Sequence, residues 1–237
     1  MKNFYLTLLV FLISLSSFSQ IENLNATKDY QAFATNSPIN GSWARAFNSE
    51  TNTIKGDIYL YDGWSNNSQI YFDDVNSPLK TSRINYNLQA ERFELKESKD
   101  SVFIINPGNV RKVVVGTSVF KRYLDPEFRR NSFFQELFLT SEKTLLKKYQ
   151  LDIIVGAVNP MTNQKMKADA YNVKEKYFVL AEDSNEVLKE VKLNKKLVYS
   201  FTSSDKADEV KQYVKNHHLS YKDDNDVILI LNYIKTL

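Results

Sequence analysis

Apolar and polar positions alternate with a period of two from about Gly56 to Ile154, and a three-and-four spacing replaces that alternation after Asn194. In "GDIYLYDG", Ile58 and Leu60 alternate with Tyr59 and Tyr61. The run closes on Asp62-Gly63, a pair that favours a hairpin turn because glycine enters the left-handed region without a steric cost. "SQIYF", "RINYNL" and "RFELK" predict further strands, "SVFIIN" stops at Asn106-Pro107-Gly108, and "VRKVVVGTSVFKRY" divides at Gly116-Thr117. "SFFQELFLT" and "TLLKKYQLDIIVG" carry the habit to Ile154. These runs are short, bounded by turn formers and rich in Val, Ile, Phe and Tyr, which suit a half-buried pleated surface. Between Gly156 and Asn172 the pattern lapses and predicts a flexible loop. "KYFVLAEDSNEVLKEVK" then predicts a hairpin that pairs residues 177–180 with 187–191 across an acidic turn.

After Asn194, apolar residues fall at Leu197, Val198 and Phe201, then at Ala207, Val210, Tyr213 and Val214, as one helix face requires. Asp205 is the predicted N-cap of the second helix. "DDNDVILILNYIKTL" admits a strand or a helix. Its acidic front suits the positive end of a helix, and Val227, Ile230, Leu231 and Ile234 form a stripe, so helix is favoured. The predicted fold is α+β: a mostly antiparallel β meander, curled into a sandwich or partial barrel, with a small helical C-terminal tail. The segments are a signal peptide at 1–19, a polar lead at 20–52, the β body at 53–193 and the helical tail at 194–237.

The signal peptide rests on "MKNFYLTLLVFLISLSSFSQ": one lysine, an apolar run from Phe4 to Ile13, then small residues that place cleavage before Gln20. The apolar run is too short for a spanning helix, which needs about 20 residues, and no basic stop-transfer cluster follows it. No transmembrane segment is expected after cleavage, and the periplasm or the cell exterior is the expected location. Cysteine is absent, which excludes disulfides, thiolate metal sites, a cysteine nucleophile and a lipidated cysteine anchor. The formal net charge of +3 is too small to argue for nucleic acid, and the lysine and arginine pairs are scattered among acids.

Both histidines lie in "KNHHLSYKDD". His217 and His218 are adjacent and project on different faces of a helix, so they do not grip one zinc ion, and their expected place is a helix C-terminus with its unpaired carbonyls. "DDND" lacks the central glycine and closing glutamate of a calcium loop. No metal or other cofactor is expected. G-x-S-x-G, S-x-x-K and H-E-x-x-H are absent. Paired carboxylates, Asp73-Asp74 or Glu91 with Glu94, are the acids a glycosidase-like hydrolase would use, with a spacing of about 5 to 9.5 Å. A stronger signal is aromatic: Tyr59, Tyr61, Trp64, Tyr71 and Tyr86, with Asn66, Asn67, Asn85 and Asn87 nearby, predict stacking faces beside amides, a platform for a sugar ring or a peptide. Asp100-Ser101-Val102 matches a short O-glycosylation acceptor of exported bacterial proteins.

The succession "GDIYLYDGWSNNSQIYF", "INYNLQAERFELK", "DSVFIINPGNVRKVVVGTSVFKRY", "FFQELF" with "LLKKYQL", and "VKQYVKNHHLSYKDDNDVILILNYIKTL" resembles a family of secreted flavobacterial-type proteins of unknown function. The resemblance implies export, a β-rich body and a helical end, and it supplies no catalytic or ligand residue. The expectation is an exported cell-envelope protein acting as a non-enzymatic binding or scaffolding module toward a glycan or a protein, with an envelope hydrolase using paired carboxylates as the alternative.

Overall fold

Turn formers cut the alternating text into strands much as the pattern predicts. The computed structural model describes residues 41–47, 53–181 and 187–237. Ser42–Leu237 cluster as one unit, and the predicted signal peptide, the lead up to residue 40 and the acidic turn at 182–186 lie outside the described residues. The strands are β1 (Gly41–Arg45), β2 (Ser68–Phe72), β3 (Leu79–Thr81), β4 (Ile84–Asn87), β5 (Arg92–Lys96), β6 (Ser101–Ile105), β7 (Val110–Val115), β8 (Ser118–Leu124), β9 (Asn131–Leu139), β10 (Lys143–Ile154), β11 (Ala170–Ala181) and β12 (Lys189–Val191). A small sheet has the order β1-β6-β5-β4, and a large one β12-β11-β10-β9-β8-β7-β2-β3. The body is mostly antiparallel β, and the large sheet stays open between β12 and β3 instead of closing into a barrel.

Residues 53–66 depart from the expected strand. They run beside β4 as an irregular segment, in which Leu60 N–H donates to Tyr86 O at 3.0 Å and Leu88 N–H to Ile58 O at 2.8 Å. The Asn85 side chain takes over part of the ladder. Its Oδ1 accepts from Tyr61 N–H at 3.1 Å, and its Nδ2 donates to Tyr61 O and Gly63 O, each at 2.8 Å. Gly63 holds φ +80°, as the turn signal requires. Three strands exceed the pattern: β1 falls inside the lead, β3 lies in a stretch where no strand was expected, and β11 begins at Ala170 instead of Tyr177.

Cross-strand pairs share a face, so register shows what each face covers. Phe120 lies opposite Gln135, Gln135 opposite Lys147, and Lys147 opposite Tyr177. Toward β8 this face meets the small sheet, where Tyr86 and Phe93 pack on Phe120 and Phe133 with ring centroids 5.1 to 6.1 Å apart. Toward β10 it meets the helical tail. Side by side, small sheet and tail therefore cover one face of the large sheet. On the opposite face Phe134, Leu146, Phe178 and Leu188 form a separate apolar cluster.

Helix α1 (Lys195–Tyr199) is capped by Asn194, whose Oδ1 accepts from Leu197 N–H at 2.9 Å. Helix α2 (Ala207–Asn216) follows a 3-10 turn at Ser204–Lys206, so Asp205 sits inside that turn and the cap position falls to Lys206, which makes no side-chain capping bond. Helix α3 (Asp224–Ile234) confirms the helical choice for the last segment, with Asp223 Oδ1 accepting from Asp226 N–H at 3.1 Å. Val227, Ile230 and Leu231 bury against Val210 and Val214 of α2 and against Phe138 and Leu145 of the sheet. Each is worth about 1.5–3 kcal/mol relative to exposure, and this burial, more than helix propensity, holds the tail in place.

Candidate functional site

The five aromatic residues singled out in the sequence do not assemble into one open platform. Tyr86 is a core residue, 1% exposed, among Phe93, Phe120 and Phe133. Tyr59 is buried too. Its hydroxyl donates to Glu94 Oε2 at 2.7 Å, and burial followed by that carboxylate pushes its phenol above the ordinary value. Trp64 meets Tyr59 edge-on at 4.7 Å, but Lys96 Nζ stands 5.1 Å from the centre of its ring. Tyr61 is half-buried, and burial is the chief cause raising its phenol. Tyr71 lies on β2 of the other sheet, donates to Gln69 Oε1 at 2.7 Å and is covered by Lys112 at 4.3 Å. Tyr71 and Tyr86 lie on strands of different sheets, and Tyr59, Tyr61 and Trp64 on the irregular segment beside β4, a separation that nearness in sequence hid. Beside Gln69 an open groove of about 480 Å³ runs along β2 and β3, lined by Asn67, Lys80, Thr81 and Val114 without an aromatic ring.

The carboxylates are spoken for. Glu94 accepts from Tyr59, from Asn87 Nδ2 at 3.1 Å and from Arg92 Nε at 2.8 Å. Glu91, at φ +49°, accepts from Ser132 Oγ at 2.8 Å and pairs with Lys148 and Arg130, each at 3.3 Å. Lys148 is itself buried and ion-paired to Asp125, a carboxylate missed in the sequence because "LDPEFRR" reads as an ordinary turn. Burial opposes ionisation of Asp125, yet the Lys148 hydrogen bond and the N–H groups of Phe128 and Glu127 outweigh it and hold the carboxyl below its usual value. On the face toward the tail, Lys147 pairs with Asp224 of α3 and with Glu175. Burial pulls its ammonium down, but the Asp224 hydrogen bond prevails and the net shift is upward. Asp73 and Asp74 are exposed in the turn after β2.

His217 and His218 form the predicted polar join. The His217 ring nitrogen Nδ1 lies 2.9 Å from Tyr213 O, and His218 leaves the helix at φ +53°. No group of three or more His, Cys, Asp or Glu among the described residues is placed to hold a metal ion. Ser101 opens β6, half-buried, with its hydroxyl 2.7 Å from that of Ser98.

A different feature carries an unspent surface. β10 and β11 pair along their whole length, from Lys143 opposite Ala181 to Ile154 opposite Ala170, while β12 pairs only with residues 177–179 of β11. The distal half is thus a two-stranded arm. Residues 156–169, the segment expected as an irregular loop, close it as a hydrogen-bonded hairpin: Met166 N–H donates to Ala157 O at 2.8 Å, Asn159 N–H to Gln164 O at 2.9 Å, and Gly156 N–H to Asp169 Oδ1 at 2.9 Å. Gly156 has no substitute there, because a Cβ would lie 1.9 Å from Lys167 O. The hairpin holds apolar side chains in solvent: Ile153 is 50% exposed, Ile154 57%, Val155 71% and Met161 93%, with Val158 and Met166 also exposed. The available sequence signal was Val158, Met161 and Met166, large apolar residues kept within an otherwise polar loop.

No protein-family model, curated protein or solved structure matches the chain. Among the described residues no helix is long and apolar enough to cross a membrane.

Proposed function

We propose that this chain is an exported binding or scaffolding module of the cell envelope, and that the β10–β11 arm is its contact surface. One observation carries the reading: a hairpin closed by its own backbone hydrogen bonds displays Ile153, Ile154, Val155, Val158, Met161 and Met166, apolar side chains that the rest of the described chain leaves exposed. Monomeric proteins rarely keep such a patch without a partner. Export is supported by the residues up to Ser19, which read as a signal peptide. The engagement of Glu91 and Glu94 in ion pairs and hydrogen bonds weighs against a hydrolase that works through them.

Cell fractionation tests the reading. The wild-type protein is expected to begin at Gln20 and to sediment with the envelope, and the double variant Val155→Asp, Met161→Asp, altered only at exposed positions, to stay in the soluble fraction. Unchanged sedimentation of that variant, or a mature chain that keeps Met1, would overturn it.

A further inference from the structure

We infer that the β10–β11 arm seats the protein on the surface of an anionic phospholipid bilayer, an inference that rests on the binding-module reading above. The first ground is the distribution of apolar side chains around the arm. Ile153 and Ile154 are consecutive in β10 and therefore project to opposite faces of the ribbon, yet both are at least half exposed, and Val155 and Met161 continue beyond them. A protein groove covers one face of a ribbon. A bilayer interface surrounds the inserted end on every side.

The second ground is the backbone. Amide and carbonyl groups that leave water must be satisfied internally, and the hairpin satisfies Gly156, Asn159, Asn163 and Met166 with bonds of 2.8 to 2.9 Å made within residues 156–169. The third is charge. Lys165 pairs with Asp169 and Lys174 with Asp152, which leaves Lys55, bridged to the arm at Ala170, and Lys167 without an acidic partner among the described residues. Two cations outside any ion pair among the described residues, on or bridged to a segment rich in exposed apolar side chains, complement a phosphate-rich surface. Thr162, Asn163 and Gln164 at the turn set the depth, since they keep the end among the headgroups instead of in the hydrocarbon.

Sedimentation of the purified mature protein with vesicles tests this. Phosphatidylethanolamine–phosphatidylglycerol vesicles should pellet the protein, and phosphatidylcholine vesicles should not. Lys167→Gln should weaken binding about five-fold, as loss of one charge at an anionic surface implies, and Met161→Asp about ten-fold through lost apolar burial. Added salt should weaken binding by the wild type. Three results overturn the inference: no pelleting with either vesicle, equal pelleting with both, or self-association of the protein in solution that Met161→Asp abolishes while vesicles stay unbound. If vesicles fail but the protein still sediments with the envelope through Val155 and Met161, the lipid assignment is wrong and the module engages a protein or glycan. If envelope sedimentation also ignores the arm, both readings fall.

Discussion

Tyr86 shows what a sequence hides at the scale of one residue. It shares one side of its run with Ile84 and Leu88, and Asn85 and Asn87 were expected on the other, outward side, yet every residue of β4 is buried, because the small sheet packs on the large one by one face and receives residues 58–63 along its edge. A tyrosine read as a stacking surface became core, and its hydroxyl finds no hydrogen-bond partner among the described residues. Burial is the largest cause raising its phenol. A buried polar group left unpaired costs stability, so removing it should help. Tyr86→Phe is expected to raise unfolding free energy by about 1 kcal/mol in a denaturant titration; a loss of similar size would show that the hydroxyl is bonded after all. Tyr59 is the contrasting case, since its hydroxyl serves Glu94.

At the scale of elements, the strands between Ser68 and Ile154 other than β3 were legible because Asn-Pro-Gly, Gly-Thr and similar turns bound each apolar run, and most of those runs pair with a sequence neighbour; β3, three residues of mixed character, had no such signal. The first half of β11 was not. "AYNVKEKY" is polar, and it is a strand only because β10 offers it a register partner at every position from Ala170 to Tyr177. The arm was hidden for the same reason, since its order comes from pairing and from one glycine. Gly156→Ala drives a Cβ into the Lys167 carbonyl and should open the base of the hairpin. Limited proteolysis is expected to cut within residues 157–168 of that variant at least ten-fold faster than in the wild type, while the melting temperature moves little, as befits a change remote from the core clusters. Equal cleavage of the two proteins would mean that the hairpin does not depend on this contact. Asp205 failed as a cap for a local reason: a 3-10 turn took the position and moved the helix start to Ala207.

Over the whole molecule, buried ion pairs tie pieces distant in sequence: Lys148 joins β10 to the β8–β9 turn and, through Glu91, to the β4–β5 turn. The folded Asp125 carboxyl lies below its ordinary value of 3.8. A lowered folded value means that the contribution is complete above the unfolded value and is lost as the pH falls through the folded one. Stability should therefore hold near neutrality and decline below about pH 4. Lys148→Met leaves Asp125 buried without its cation, which costs about 3–5 kcal/mol, and should shift the acid limb to higher pH. A variant that matched the wild type at pH 7 and in acid would show that the pair is dispensable. Lys147, one position earlier, serves the tail in the same manner. Leu145-Leu146 and Lys147-Lys148 thus offer the two sides of β10 the same chemistry in the same order. Side-chain type alone does not tell this strand which way up to lie; its register does, unbroken against β11 from Lys143 to Ile154 and shifted against β9 between Leu145 and Leu146. A slip of that register by one residue would again set leucine toward apolar neighbours and lysine toward carboxylates, so pairing with β11 and β9, not composition, is what keeps the strand from having two orientations.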